Sequence, residues 1–224
     1  MDLTNKVVLV TGANGALGSA VAKRARALGA NLLLFDLNIP DNPEEDDQWF
    51  ELNLTDETAV NAAASQLGSV DVILHVAGGF DMGPTVYELS QASMDNLFQM
   101  NVTTFHNMTR AFIPHMIERG RGSVVSIGAL GAASGLANMG AYAVAKSALL
   151  RLTESLSAEV KNNGINVNCV LPSIIDTPAN RHAMPDEDHS IWVSVDDLAN
   201  VICFLGSESA RAVHGASLPV TGLV

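Results

Sequence analysis

A chain of 224 residues with no Pro/Gly/Ser-rich linker and no shift in composition can bury one large core, so a single domain over residues 1–224 is expected. Twelve Lys+Arg against 24 Asp+Glu give a formal charge of −12, which repels phosphate backbones and anionic membrane surfaces and sets aside nucleic acid and membranes as partners. Cys169 and Cys203 lie in apolar contexts that read as buried free thiols, Met1-Asp2-Leu3-Thr4-Asn5-Lys6 has no signal-peptide layout, and no apolar stretch reaches the roughly 18 residues of a membrane span, so a cytoplasmic protein is expected.

In chain order, short β-rich apolar runs alternate with longer helical patterns. Strands are expected at Val7–Val10, Leu32–Phe35, Val70–Val76, Ser123–Ile127, Val167–Leu171 and Leu218–Val220, with a weaker one at Trp49–Leu52. Helices are expected at Ala16–Leu28, Glu57–Leu67, Met94–Glu118, Gly140–Asn163 and Val195–Leu205. Strict alternation predicts an α/β fold with a doubly wound parallel sheet of about seven strands and helices on both faces. Glu44-Glu45-Asp46-Asp47 reads as a solvated loop rather than a metal site, because nothing orders its carboxylates in advance. The six histidines form no metal-ligand spacing with Cys, Asp or Glu, so no metal is expected.

Thr11-Gly12-Ala-Asn14-Gly15-Ala16-Leu17-Gly18 directly follows the first strand and opens a helix. Backbone can approach a pyrophosphate closely there, and free N–H groups face it. Asp36 ends the second strand, where a carboxylate accepts both ribose hydroxyls of adenosine and repels a 2′-phosphate. With no Lys or Arg at Asn14 or Leu37, NAD(H) is favoured over NADP(H).

Tyr142 and Lys146 stand four apart on an expected helix and share one face, which suits a proton-transfer pair. Thirteen positions before the tyrosine, where a helper hydroxyl would be expected, stands Ala129.

The glycine stretch, with a spacing that differs by one residue, and Tyr142-x-x-x-Lys146 together resemble the short-chain dehydrogenase/reductase superfamily, whose fold is Rossmann-like. The resemblance runs over nearly the whole chain. Asn53-Leu54 resembles its adenine-contacting pair, His75-Val-Ala77-Gly78-Gly79 the segment after the fourth strand, and Pro172-Ser-Ile-Ile175-Asp-Thr177 the loop that holds the nicotinamide carboxamide. It implies a cofactor cleft built from Gly12, Asn14, Gly15, Ala16, Leu17, Gly18, Asp36, Leu37, Asn53, Leu54, Ala77, Gly78, Gly79, Ile127, Pro172, Ile175 and Thr177, with Tyr142 and Lys146. It also implies that Tyr142 donates the proton, that Lys146 binds the nicotinamide ribose and lowers the tyrosine pKa, that Asn101 holds a relay water, and that the chain forms a homodimer or homotetramer through its long helices.

Ala129 departs from the superfamily, which usually carries a catalytic serine there; Ser126 and Ser134 are the nearest hydroxyls in sequence. Losing such a hydrogen bond commonly costs a few kcal/mol of transition-state stabilisation. The dihydropteridine reductase branch shares the alanine, and Asp176-Thr-Pro178-x-Asn180-Arg181-x-x-Met184-Pro185-x-x-Asp188-x-Ser190-x-Trp192 resembles its corresponding segment. That points to a lid near residues 174–195 and a substrate pocket including Phe80, Ala129, Met184 and Trp192, with Met139 a further candidate. His75 reads as structural. The expected function is NADH-dependent reduction of a small conjugated C=N or C=O acceptor, with a quinonoid dihydropterin favoured. The alternatives are a carbonyl reductase of 3-oxoacyl or small-ketone substrates, or a non-catalytic NAD(H)-binding protein.

Overall fold

A computed structural model describes residues 1–224. The first half of the sheet is built by β1 (Val7–Thr11), α1 (Ala16–Ala27), β2 (Asn31–Asp36), β3 (Gln48–Glu51), α2 (Glu57–Leu67) and β4 (Val72–His75). The second half follows through α3 (Gln91–Phe98), α4 (Thr104–Arg119), β5 (Gly122–Ile127), α5 (Gly140–Val160) and β6 (Ile165–Pro172). The chain ends with β7 (Ile175–Asp176), α6 (Pro178–Ala183), β8 (Val193–Ser194), α7 (Val195–Gly206) and β9 (Ser217–Val220).

Seven strands form one parallel sheet in the order β3-β2-β1-β4-β5-β6-β9. The apolar runs explain it: successive side chains on a strand point to opposite faces, so a strand apolar at every position can be buried from both sides. Val8 and Val10 of β1 join Leu32, Leu34, Val72 and Leu74 against α1 and α7. Leu9 joins Leu33, Phe35, Ile73 and Val124 on the other face, against Phe105, Met108 and Phe112 of α4. The chain moves outward from β1 to β3 on one side, then returns to β4 on the other. A crevice therefore opens above the carboxyl ends of β1 and β4, where the order reverses.

Several expected boundaries shift for physical reasons. The helix expected at Met94–Glu118 begins earlier, at Gln91, because the Ser90 side chain accepts from the Ser93 N–H. It is also interrupted by a π-helical turn at Gln99–Thr103. The strand expected at Val70–Val76 is shorter, since the Asp71 carboxylate accepts the Val7 N–H and the ladder starts at Val72. A two-stranded sheet of β7 and β8, absent from the sequence reading, pairs Ile175 with Val193 and Asp176 with Ser194. Cys169 and Cys203 are buried free thiols, and no helix is long and apolar enough to cross a membrane.

Candidate active site

The glycine loop is shaped by contacts a side chain would break. Gly12 has φ +64°, and a Cβ there would stand 2.9 Å from the Ala77 backbone. A Cβ on Gly18 would stand 1.9 Å from the Gly12 carbonyl oxygen, so only glycine lets α1 start this close to the turn. Gly15 is the N-cap of α1 and supplies no side-chain cap, leaving N–H groups of the first turn without an intrahelical partner. Asp36 ties the loop to β2: its Oδ2 accepts the Asn14 N–H at 2.9 Å, and its Oδ1 accepts those of Leu37 at 2.7 Å and Asn38 at 3.3 Å.

A cavity of about 960 Å³ lies above this loop and runs to the lid. Of the residues selected from sequence, all line it except Ala16, Asn101, Thr177 and Trp192. Ala16 is the exposed first residue of α1. Thr177 caps α6, its Oγ1 accepting the Asn180 N–H at 3.2 Å. Trp192 is only 6% exposed and packs against the His189 ring with centroids 4.4 Å apart, so this aromatic belongs to the inner packing of the lid rather than to the pocket wall. Asn101 is wholly buried in the π-helical turn. Both of its amide hydrogens are committed, to Gly79 O at 3.0 Å and Leu97 O at 2.9 Å, and its Oδ1 accepts the Gly79 N–H at 3.1 Å. The side chain thus clamps the Ala77–Gly79 wall and has no hydrogen to offer a relay water.

Lys146 is buried, and its Nζ donates to Ile127 O at 2.7 Å while standing 6.0 Å from the Tyr142 ring centroid. Burial pushes the ammonium down to about 8. Burial likewise pushes the Tyr142 phenol up to about 12, opposite in direction to the lowering expected from Lys146. Phe80 packs on the tyrosine edge-to-face, with centroids 4.9 Å apart at 83°. Ala129 lines the cavity with its methyl group. Neither nearby serine replaces the missing hydroxyl. Ser126 is fully buried and bonded to Thr153 Oγ1 at 2.9 Å on the α5 side, and Ser134 is exposed and outside the cavity.

The ionisable side chains lining the cavity are Asp36, Tyr142 and Lys146, and the end beyond Tyr142 is apolar. Met82, Leu136 and Asn180 line it without having been selected from sequence. Met82 and Leu136 sit in loops with no periodicity to reveal their direction. Asn180 was visible only as one letter of the lid segment; its amide donates to Ile175 O at 2.7 Å. The lid is tied at its base by the β7–β8 pairing and by a two-pronged ion pair of Arg181 with Asp176, at 2.5 and 2.8 Å. No three His, Cys, Asp or Glu side chains cluster as a metal site would require.

A family model described as enoyl-(acyl carrier protein) reductase matches residues 12–222. The 3-oxoacyl-[acyl-carrier-protein] reductase FabG of Escherichia coli (strain K12) is 26% identical over 240 residues, covering 99% of this chain and 98% of that protein. Dehydrogenase/reductase SDR family member 4 of Sus scrofa is 29% identical, covering 98% of this chain and 87% of that protein. Among solved structures, carveol dehydrogenase from Mycobacterium avium in complex with NAD is similar at a TM-score of 0.84 and 25% identity, covering 98% of this chain and 97% of that one.

Proposed function

The chain belongs to the short-chain dehydrogenase/reductase superfamily and is an oxidoreductase that takes a nicotinamide cofactor; from that premise we propose that it uses NADH to reduce a small conjugated acceptor, with a quinonoid dihydropterin the favoured substrate. The cleft fits a dinucleotide. The glycine loop brings backbone and the uncapped N–H groups of α1 to where a pyrophosphate would lie, and Gly12 and Gly18 leave no room there for side chains. Asp36 presents a carboxylate with no Lys or Arg opposite it in the cavity, which supports NAD(H) over NADP(H).

When bound, the cofactor supplies the hydride. Tyr142, held as a phenol by burial, donates the proton to the acceptor. Lys146 spends one N–H on Ile127 O and keeps two for the ribose hydroxyls next to the nicotinamide. Asn101 acts one step back, holding Gly79 and so the Ala77–Gly79 wall of the cleft.

The observation that carries the substrate reading is Ala129 together with the engagement of Ser126 in the core. With no second hydroxyl beside Tyr142, the site favours an acceptor that is already electron-poor and needs protonation more than polarisation. A conjugated C=N system meets that demand. Steady-state oxidation of NADH against a quinonoid dihydropterin, 3-oxoacyl thioesters and cyclic ketones tests it, and robust ketone reduction without pterin turnover would reverse the reading. The second reading, a carbonyl reductase, is supported by the apolar substrate end with Phe80, Met82, Leu136 and Met139, and by the similarity to FabG. In that case a water replaces the serine hydroxyl, since Ser134 lies outside the cavity.

The single domain over residues 1–224, the cytoplasmic location and a homodimer or homotetramer remain part of this proposal. Exposed Phe98 on α3 and Val144 and Leu152 on α5 offer an apolar face for a second copy. Light scattering that finds only monomer would refute the oligomer.

A further inference from the structure

His75 does not line the cleft, yet it stands where three of the cleft's walls meet. It ends β4 at 1% exposure, with its ring 5.5 Å from that of Phe105. Its Nδ1 is 3.1 Å from Thr11 Oγ1 at the end of β1, and its Nε2 is 3.3 Å from Thr104 Oγ1 at the start of α4. The neighbouring bonds decide every direction. Thr11 Oγ1 accepts the Ala77 N–H at 3.1 Å and keeps its own proton, which goes to Nδ1 once Nε2 carries the ring hydrogen. Thr104 Oγ1 donates to Met100 O at 2.8 Å, so it accepts from Nε2–H. This assignment satisfies all five groups with one neutral tautomer.

The resulting chain runs from Ala77 through Thr11, His75 and Thr104 to Met100, and so ties together three walls: the glycine loop after β1, the end of β4 with the segment that follows it, and the π-helical turn leading into α4. Thr11 is the root of the glycine loop, and Ala77 touches the position a Cβ on Gly12 would need. Met100 lies in the π-helical turn that carries Asn101, whose amide grips Gly79. Burial and the charge of Lys146 both push the imidazole down, to about 3, so it stays neutral and the directions hold.

We propose that His75 is a positioning residue for cofactor binding, locking the glycine loop, the Ala77–Gly79 wall and the π-helical turn into one rigid frame through its two opposed hydrogen bonds. It acts through Thr11 and Thr104 and touches neither substrate nor cofactor. The inference rests on the reading that this cleft holds NAD(H), and a direct binding measurement separates the two.

The test is a fluorescence titration of NADH binding, with no substrate present, on the parent protein and the variants His75→Phe, Thr104→Val, His75→Phe with Thr104→Val, and His75→Gln. His75→Phe keeps an aromatic ring against Phe105 and removes both bonds; we expect Kd for NADH to rise about tenfold, the size of one or two buried neutral hydrogen bonds. Thr104→Val should weaken binding by a smaller factor, and the double variant should bind no worse than His75→Phe, because both act through one chain. An amide offers an acceptor and a donor side by side, as the imidazole does, so His75→Gln should recover most of the affinity. Thermal unfolding of each variant guards against simple destabilisation: an unchanged Kd with a lowered Tm overturns the proposal, as does equal weakening by Phe and Gln. A parent protein that binds no NADH overturns the cofactor reading and this inference with it, whereas parental binding with unaltered variants overturns this inference alone.

Discussion

The two ends of the cleft are built from different materials. At the glycine-loop end the contacts are backbone: Gly12 and Gly18 shape the turn by having no side chain, and Asp36 grips the N–H groups of Asn14, Leu37 and Asn38. At the lid end the work falls to side chains whose chemistry depends on burial. Tyr142 and Lys146 are pushed apart in pKa by the apolar walls, and Ala129 contributes only the absence of a hydroxyl. Backbone geometry can be read from glycine positions, while desolvation is set by walls that arrive from Phe80, Leu97 and Met100, away from Tyr142 in sequence. The first end should therefore respond to substitution through binding, and the second through turnover and pH.

The largest effect should fall on the lid end. Tyr142→Phe keeps the ring against Phe80 and deletes the proton donor, so kcat should fall by about 10² to 10⁴ while the Kd for NADH changes little. Stopped-flow or steady-state rates beside a binding titration check both halves, and retention of full turnover would defeat the acid role.

Next comes pH, also a property of the lid end. Lys146 loses its proton near pH 8, so kcat/KM for reduction should fall about tenfold per pH unit above that value if its charge serves catalysis. Stability should move the other way. The folded value of about 8 lies below the ordinary lysine value of 10.5, so the unfolded chain holds more protons between the two and the native state gains stability as pH rises through that window. Tyr142 and Cys203, each pushed up to about 12, tilt stability in the opposite direction at higher pH. The Lys146 contribution should thus be read as the difference between the parent and Lys146→Met in chemical unfolding at pH 7.5 to 10, on the order of 3 kcal/mol.

The glycine-loop end gives the third prediction. Asp36→Ser removes the carboxylate that would repel a 2′-phosphate, so the ratio of NADH to NADPH affinity should narrow by about tenfold, through binding and without change in kcat. A preference for NADPH in the parent protein would overturn the reading of Asp36.

What the sequence disclosed follows the same division. Most strands of the large sheet were legible because they are apolar at consecutive positions, and the phosphate-facing turn followed from the glycines directly after β1. The π-helical turn was not, because Met100 and Val102 continue an ordinary helical pattern and nothing in the letters marks an extra residue per turn. Trp192 drew attention as an aromatic at the end of the lid, but direction depends on the β7–β8 pairing, which turns it onto His189. His75 read as merely structural, and its two bonds became visible only when β1, β4 and α4 were brought together.

The smallest expected effect, on turnover of the favoured pterin substrate, is the one that discriminates most when it is set beside the ketone rate. Ala129→Ser restores the superfamily's usual hydroxyl on the cavity wall, at a position 8% exposed and adjacent to open space, so the added oxygen costs little stability. If the natural acceptor is a conjugated C=N system, the new group has no carbonyl to polarise, and turnover of a quinonoid dihydropterin should stay within about threefold of the parent. Ketone reduction should rise, by up to the 10² that one well-placed oxyanion donor supplies when its geometry is right. The sign of that difference is the informative quantity. A serine that raises pterin and ketone rates together would mean that both acceptors want polarisation and that Ala129 limits the site. A serine that raises only the ketone rate would mean that the alanine is matched to an acceptor for which Tyr142 alone suffices. Measuring both rates on the same preparation, with NADH affinity as the control from the other end of the cleft, separates these outcomes.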